Sequence, residues 1–182
     1  RRPWAGADSI DPVKLVTPSR EHLDSYVDAL RRGWSPSTEH DVSAAVLAEI
    51  EEDADAFLAG ADDRDPQGRT VTLPDGSVVA RIPGFARWMW DGEFAVSINA
   101  RWQHGTVALP PHCLGHVGYS VVPWKQRRGY GTTALGLLLD ELDHSLHPKA
   151  QFELVRQLRA LAEARDDLQI VATTHSPYVL DA

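Results

Sequence analysis

The chain has 182 residues, enough for one good core or two cramped ones, with a formal net charge of −8 and a pI near 5.4. That acidic balance argues against a nucleic-acid backbone as the main partner, because such binding rests on Lys and Arg displacing counterions. The single cysteine, Cys113, excludes an internal disulfide and points to a reducing compartment. No apolar run approaches membrane-spanning length and no secretory leader is visible, so a cytoplasmic protein with no membrane partner is expected. The opening at Arg1 instead of methionine suggests that residues upstream are missing.

Arg1 to Asp11 has no periodicity. Val13 to Val16 reads as a short strand, and Thr17-Pro18 supplies an N-cap followed by proline at the first helical position. The helix that follows carries Leu23, Tyr26, Val27 and Leu30 on one face and ends at Gly33. From Asp41 to Leu58, Val42, Val46, Ile50, Phe57 and Leu58 predict a second helix. Its acidic run Glu49, Glu51, Glu52, Asp53 and Asp55 is a solvated face or a patch for a cationic amine. Ala59 to Gly68 reads as a mobile polar loop, and Leu73 to Ser77 as a turn between two short extended pieces.

Asp91-Gly92 predicts a two-residue hairpin turn, since both residue types tolerate positive φ. Alternation then places Phe94, Val96, Ile98 and Ala100 on one side and Glu93, Ser97, Asn99 and Arg101 on the other. Gln103 to Pro111 is a connection. Trp88, Trp90, Trp102 and Trp124 read as core or cleft-lining aromatics, because a nucleic-acid stacking platform needs more positive charge.

The stretch around which the chain is organised is 115–139. Gly115 to Val122 alternates and stops at Pro123, as a strand ending in a loop does. Gln126-Arg127-Arg128-Gly129-Tyr130-Gly131-Thr132 follows, and then Leu135, Leu138, Leu139 and Leu142 at helical spacing. A glycine-bearing loop leading into a helix presents backbone N–H groups and partial positive charge to an anion. Val121-Val122-Pro123 followed by Gln126-x-x-Gly129-x-Gly131 resembles the acyl-CoA signature of GNAT-type N-acetyltransferases. Arg101-Trp102, a long connection and Gly115 to Val121 resemble one branch of predicted acetyltransferases. The resemblance spans residues 13 to about 139.

It implies an α/β (α+β) fold with a mixed, mainly antiparallel central sheet flanked by helices. It implies acetyl-CoA as co-substrate and a small-molecule or peptide amine as acceptor. The pyrophosphate would be held by Gln126, Arg127, Arg128, Gly129, Tyr130, Gly131 and Thr132, and the thioester carbonyl polarised by an amide at Val121 or Val122. For proton transfer Glu93 and His116 are candidates. The family's general-acid tyrosine is not recognisable, which leaves Tyr119 or Tyr178 in its place.

Beyond Leu139 the resemblance breaks, since the usual last strands and helix of a GNAT domain are absent. Leu137-Leu138-Leu139-Asp140-Glu141 with Leu146-His147-Pro148 resembles the Walker B and D-loop of ABC- or AAA-type ATPases. Thr174-His175-Ser176-Pro177 resembles their H-loop. In that family Asp140 lies near Mg²⁺, Glu141 near the attacking water and His175 near the γ-phosphate. No Gly-x-x-x-x-Gly-Lys-Ser/Thr occurs: the lysines are Lys14, Lys125 and Lys149, and none follows glycine.

The expected organisation is therefore an acyl-CoA-binding region over 1–139 and an ATPase-like tail over 140–182 packed onto it as one unit. The expected function is an N-acyltransferase, the alternative an ATPase fragment or non-catalytic module without its phosphate loop. Leu135 to Leu139 must be either helix or strand; the pattern running unbroken from Thr132 to Pro148 favours helix. A helix over Gln151 to Ala164 and a strand over Leu168 to Thr173 would take the place of the usual last elements. Metal sites at His112, Cys113 and His116, or at Asp140, His144 and His147, are disfavoured: on a strand 113 and 116 face opposite ways, and polar residues on a helix surface are usually solvated.

Overall fold

A computed structural model describes residues 13–73, 75–106 and 108–145, with side chains to residue 141. The elements are β1 (Lys14–Val16), α1 (Arg20–Arg31), α2 (Ser43–Ala59), β2 (Asp62–Asp63), β3 (Thr70–Thr72), β4 (Val78–Ala80), β5 (Gly84–Trp90), β6 (Phe94–Arg101), β7 (Val117–Val121), a 3₁₀ turn (Pro123–Lys125) and α3 (Tyr130–Ser145). The main sheet runs β1-β5-β6-β7 with β2 also on β5, and β3-β4 form a separate hairpin. Every pairing is antiparallel. The class is mixed α/β (α+β), an antiparallel sheet flanked by three helices.

Side-chain alternation divides the core between the two sheet faces. On one face Trp88, Phe94 and Val122 meet Leu23, Tyr26, Ala29 and Leu30 of α1, Trp34, and Ile50 and Ala54 of α2. Tyr26 stacks on Trp88 at 4.3 Å between ring centroids and meets Trp34 and Phe94 edge-on. On the other face Met89, Val96, Ile98 and Ala100 pack on Ala134 and Leu138 of α3. Leu138 is fully buried, a burial that contributes about 1.5–3 kcal/mol. Leu137 to Leu139 are thus helical, and the i, i+4 pair Ala134 and Leu138 is what seats α3 on the sheet.

Four local details depart from the sequence expectations. Helix α1 begins at Arg20 with Ser19, not Thr17, as its N-cap, and Ser19 Oγ bonds His22 Nδ1 at 2.8 Å. Its end is as expected: Gly33 takes φ +86° while Trp34 N–H reaches Ala29 O and Gly33 N–H reaches Leu30 O. Two crossed bonds of this kind satisfy the last carbonyls of a helix and require the left-handed residue. Helix α2 is kinked at Asp53 (φ −155°, ψ 91°), whose carboxylate accepts from the amides of Asp55 and Ala56 at 3.0 Å and recaps the second segment.

The β5-β6 turn holds three residues, Asp91 to Glu93, instead of two, and the register shifts next to it. Met89 pairs with Val96 and Trp90 with Phe94, so Ala95 is the extra residue of a bulge. The bulge turns Phe94 to the α1/α2 face, away from Val96, Ile98 and Ala100, with which simple alternation groups it. The segment 59–68 is not a plain loop. It contains β2, and buried Asp63 is paired with Arg69 at 3.1 Å and Arg81 at 3.0 Å. The helix expected over 151–164, the strand over 168–173, and His147, His175 and Tyr178 lie outside the described residues.

Candidate functional site

Strand β7 is the last of its sheet among the described residues, and its end leads through the 3₁₀ turn to the start of α3. In an antiparallel ladder, alternate residues turn their N–H and C=O to the neighbouring strand. Val122 N–H donates to Ala95 O at 3.0 Å and Arg101 N–H to His116 O at 2.8 Å, which fixes that alternation. Val117, Tyr119 and Val121 consequently direct their N–H groups to the open edge. Of the two amides considered for a carbonyl, Val122 is engaged in the ladder and Val121 is not.

The loop after the 3₁₀ turn places Arg127 at φ +59° and Gly129 at φ +82°, with Arg128 on the ordinary side between them. Alternation of this kind turns successive N–H groups toward a common point, the geometry of anion-binding nests. Helix α3 then takes its first bond at Thr133 N–H to Gly129 O, 2.9 Å. Among the described residues, the N–H groups of Arg127 to Thr132 have no acceptor. The first four amides of any helix are in this position. Here they continue a run of loop amides, with the exposed Arg127 and Arg128 side chains beside them.

Gln126 Nε2 donates to Val121 O at 3.2 Å, so this side chain braces the strand end. Gly131 has a packing reason for being glycine: an added Cβ would lie 2.8 Å from Tyr119 Cε2. Tyr119, half-exposed on the edge strand, therefore covers the first turn of α3 with its ring. Gly129 is different, because its Cβ would meet nothing within 4 Å and only its positive φ calls for glycine.

A buried polar cluster supports this loop from below. Lys125, among the least exposed charged residues, bonds Asp91 Oδ1 at 2.5 Å and Glu93 Oε1 at 2.9 Å. Tyr130 Oη donates to the other oxygen, Asp91 Oδ2. Burial opposes the charge on Asp91, but the bonds from Lys125 and Tyr130 outweigh it and hold its carboxyl below the ordinary 3.8. Burial likewise opposes the Lys125 charge, and Asp91 and Glu93 outweigh it and raise that group above 10.5. The hydrogen bond to Asp91, with some burial, raises Tyr130. Glu93, a candidate base from sequence, is thus a counter-ion of Lys125. His116 Nδ1 lies 3.0 Å from Arg101 O.

A second cluster lies at the far end of α3. Glu141 receives Arg87 Nε at 2.8 Å (Oε1) and 3.0 Å (Oε2) and Arg87 Nη2 at 2.5 Å. Arg87 Nη2 also donates to Asp62 at 3.1 Å, and Arg64 bonds Asp62 at 2.8 Å. Burial of Asp62 opposes its charge, yet Arg64 and Arg87 hold it below the ordinary 3.8. Glu141 is therefore tied to the sheet by a buried arginine, while Asp140 is exposed on α3. Sequence reasoning missed Asp91, Lys125 and Arg87. None of them carries a local signal: Lys125, one of three lysines, follows Pro123-Trp124 as an ordinary loop charge would.

Among the described residues no three His, Cys, Asp or Glu side chains are placed to hold a metal ion, and no helix is long and apolar enough to cross a membrane. Compared with known proteins, residues 135–181 match a family described as AAA domain, putative AbiEii toxin, Type IV TA system. No curated protein and no solved structure matches the chain. The acetyltransferase resemblance of residues 13–139 has no counterpart in these matches. The C-terminal part is ATPase-like in sequence, and the matched span begins inside α3.

Proposed function

We propose that residues 13–139 bind acyl-CoA and transfer its acyl group to an amine, a small molecule or a peptide. The observation that carries this reading is the run of N–H groups from Arg127 to Thr132 that are unpaired among the described residues, next to a strand whose Val121 amide is likewise uncommitted among them. The loop suits a diphosphate, and the edge suits the extended amide-bearing arm joining it to the thioester. Val121 N–H would polarise the thioester carbonyl as the amine attacks. The new C–N bond forms, the C–S bond breaks, and the amine proton leaves to solvent while Tyr119 Oη protonates the departing thiolate and takes a proton back from solvent. The acidic face of α2 would draw a cationic acceptor. The lone cysteine supports a cytoplasmic setting.

A second reading is favoured by the match over 135–181: an ATPase fragment or non-catalytic module whose phosphate loop another chain supplies. In it Asp140 would face Mg²⁺, Glu141 the attacking water and His175 the γ-phosphate. Against it stands Arg87, which occupies both Glu141 oxygens.

A thermal-shift titration separates the two. A ligand at one hundred times its Kd stabilises the folded state by about 2.7 kcal/mol. Stabilisation by acetyl-CoA with none from Mg-ATP supports acyl transfer. The reverse result supports the ATPase reading and removes the first.

A further inference from the structure

The geometry points to Asp91 as the positioning residue of the anion loop, one carboxylate that fixes both of the loop's ends. Its Oδ1 takes Lys125 Nζ, on the last residue of the 3₁₀ turn, and its Oδ2 takes Tyr130 Oη, on the first residue of α3. Between those anchors lie Gln126 to Gly129, with the two left-handed residues. Two oxygens held at the fixed spacing of one carboxyl group set the separation of the two anchors more tightly than bonds to two separate acceptors would. Glu93 on the same turn takes a further proton of Lys125, so the hairpin tip grips the loop through a cation with no other carboxylate partner among the described residues.

The consequence concerns preorganisation. A loop whose amides are unpaired has no internal ladder to keep it in shape, and among the described residues no acceptor holds the six from Arg127 to Thr132. Its shape must come from outside the loop, and the Asp91 clamp supplies it at the two ends. Without the clamp an anion would have to order the loop on binding, which weakens affinity without removing a single ligand contact. Asp91 touches no ligand in this scheme; it acts through Lys125 and Tyr130. The role in affinity rests on the acyl-CoA reading, whereas the clamp itself does not.

The test uses Arg127 and Arg128 as built-in reporters, since trypsin cleaves after arginine only where the backbone can open. Wild type, Asp91→Ala and Glu141→Gln, a variant at the other end of α3, are compared under native conditions at matched stability, set with denaturant. Cleavage after Arg127 or Arg128 is followed by mass spectrometry and CoA binding by calorimetry. Asp91→Ala is expected to speed that cleavage and weaken CoA binding, each about tenfold, with Glu141→Gln unchanged in both.

Equal cleavage in the two variants, or wild-type CoA affinity in Asp91→Ala, overturns the assignment. Faster cleavage in Asp91→Ala with no CoA binding by wild type upholds the clamp and refutes the acyl-CoA reading instead. Should Asp91→Ala fail to fold, Tyr130→Phe, which removes one anchor and keeps the ring, decides the matter: the same changes at smaller size support the clamp, and unchanged cleavage overturns it.

Discussion

Replacing Glu141 with glutamine tests whether this side chain is a structural counter-ion or a hydrolytic base. Arg87 is 8% exposed at its side chain, so removing its partner's charge leaves a nearly buried guanidinium. Breaking a fully buried pair costs about 3–5 kcal/mol. Three features reduce that figure here: Glu141 and Asp62 are 27% and 35% exposed, Asp62 remains bonded at 3.1 Å, and glutamine keeps one oxygen for the 2.8 Å bond. A loss of about 1–3 kcal/mol is expected, or roughly 2–4 °C in Tm for each kcal/mol. The assay is urea unfolding followed by tryptophan emission, since Trp34 and Trp88 are buried and report loss of the core. A change within about 0.3 kcal/mol would refute the structural role, because an exposed pair has that value. In the ATPase reading the same substitution leaves stability intact and slows ATP turnover.

Three further outcomes are expected. Gly129→Ala meets open space but must hold φ +82°, so a cost of about 1–2 kcal/mol should appear in thermal unfolding, with weaker stabilisation by CoA. Leu138→Ala empties a fully buried site between α3 and β6 and should cost about 2–5 kcal/mol by denaturant titration. Asp91 is held below its ordinary 3.8, so its stabilising share is complete above that value and is lost as pH falls through the lower folded-state value. Wild-type stability should therefore drop more steeply than that of Asp91→Asn in this acid range, and parallel curves would contradict the clamp.

Much of the sheet is legible in the sequence because its strands alternate and its helices have clear faces. Leu23, Tyr26 and Leu30 recur at helical spacing, and Gly33 stands where the crossed bonds of a helix end need positive φ. The bulge at Ala95 was not legible, because alanine fits either face and only the pairing partners reveal that Phe94 has changed sides. Strand β2 was hidden for a different reason. Asp62 and Asp63 look like loop residues, and their place in the sheet depends on Arg64, Arg69, Arg81 and Arg87, which no local pattern connects to them. At the candidate site the glycines and the helix start announce themselves. Its supporting residues do not, since Asp91 and Lys125 lie 34 positions apart and each, taken alone, reads as turn punctuation or surface charge.

Hairpin tips are ordinarily where a chain accepts extra residues or a new terminus, being exposed and short of contacts. The tip at Asp91 to Glu93 breaks that habit, because both of its carboxylates reach inward to Lys125. Lengthening it by a few residues would carry those oxygens out of range without disturbing any strand. A graft or circular permutation made there should consequently give a folded protein with a slack loop, while the same operation at the β3-β4 turn should leave the loop as it is.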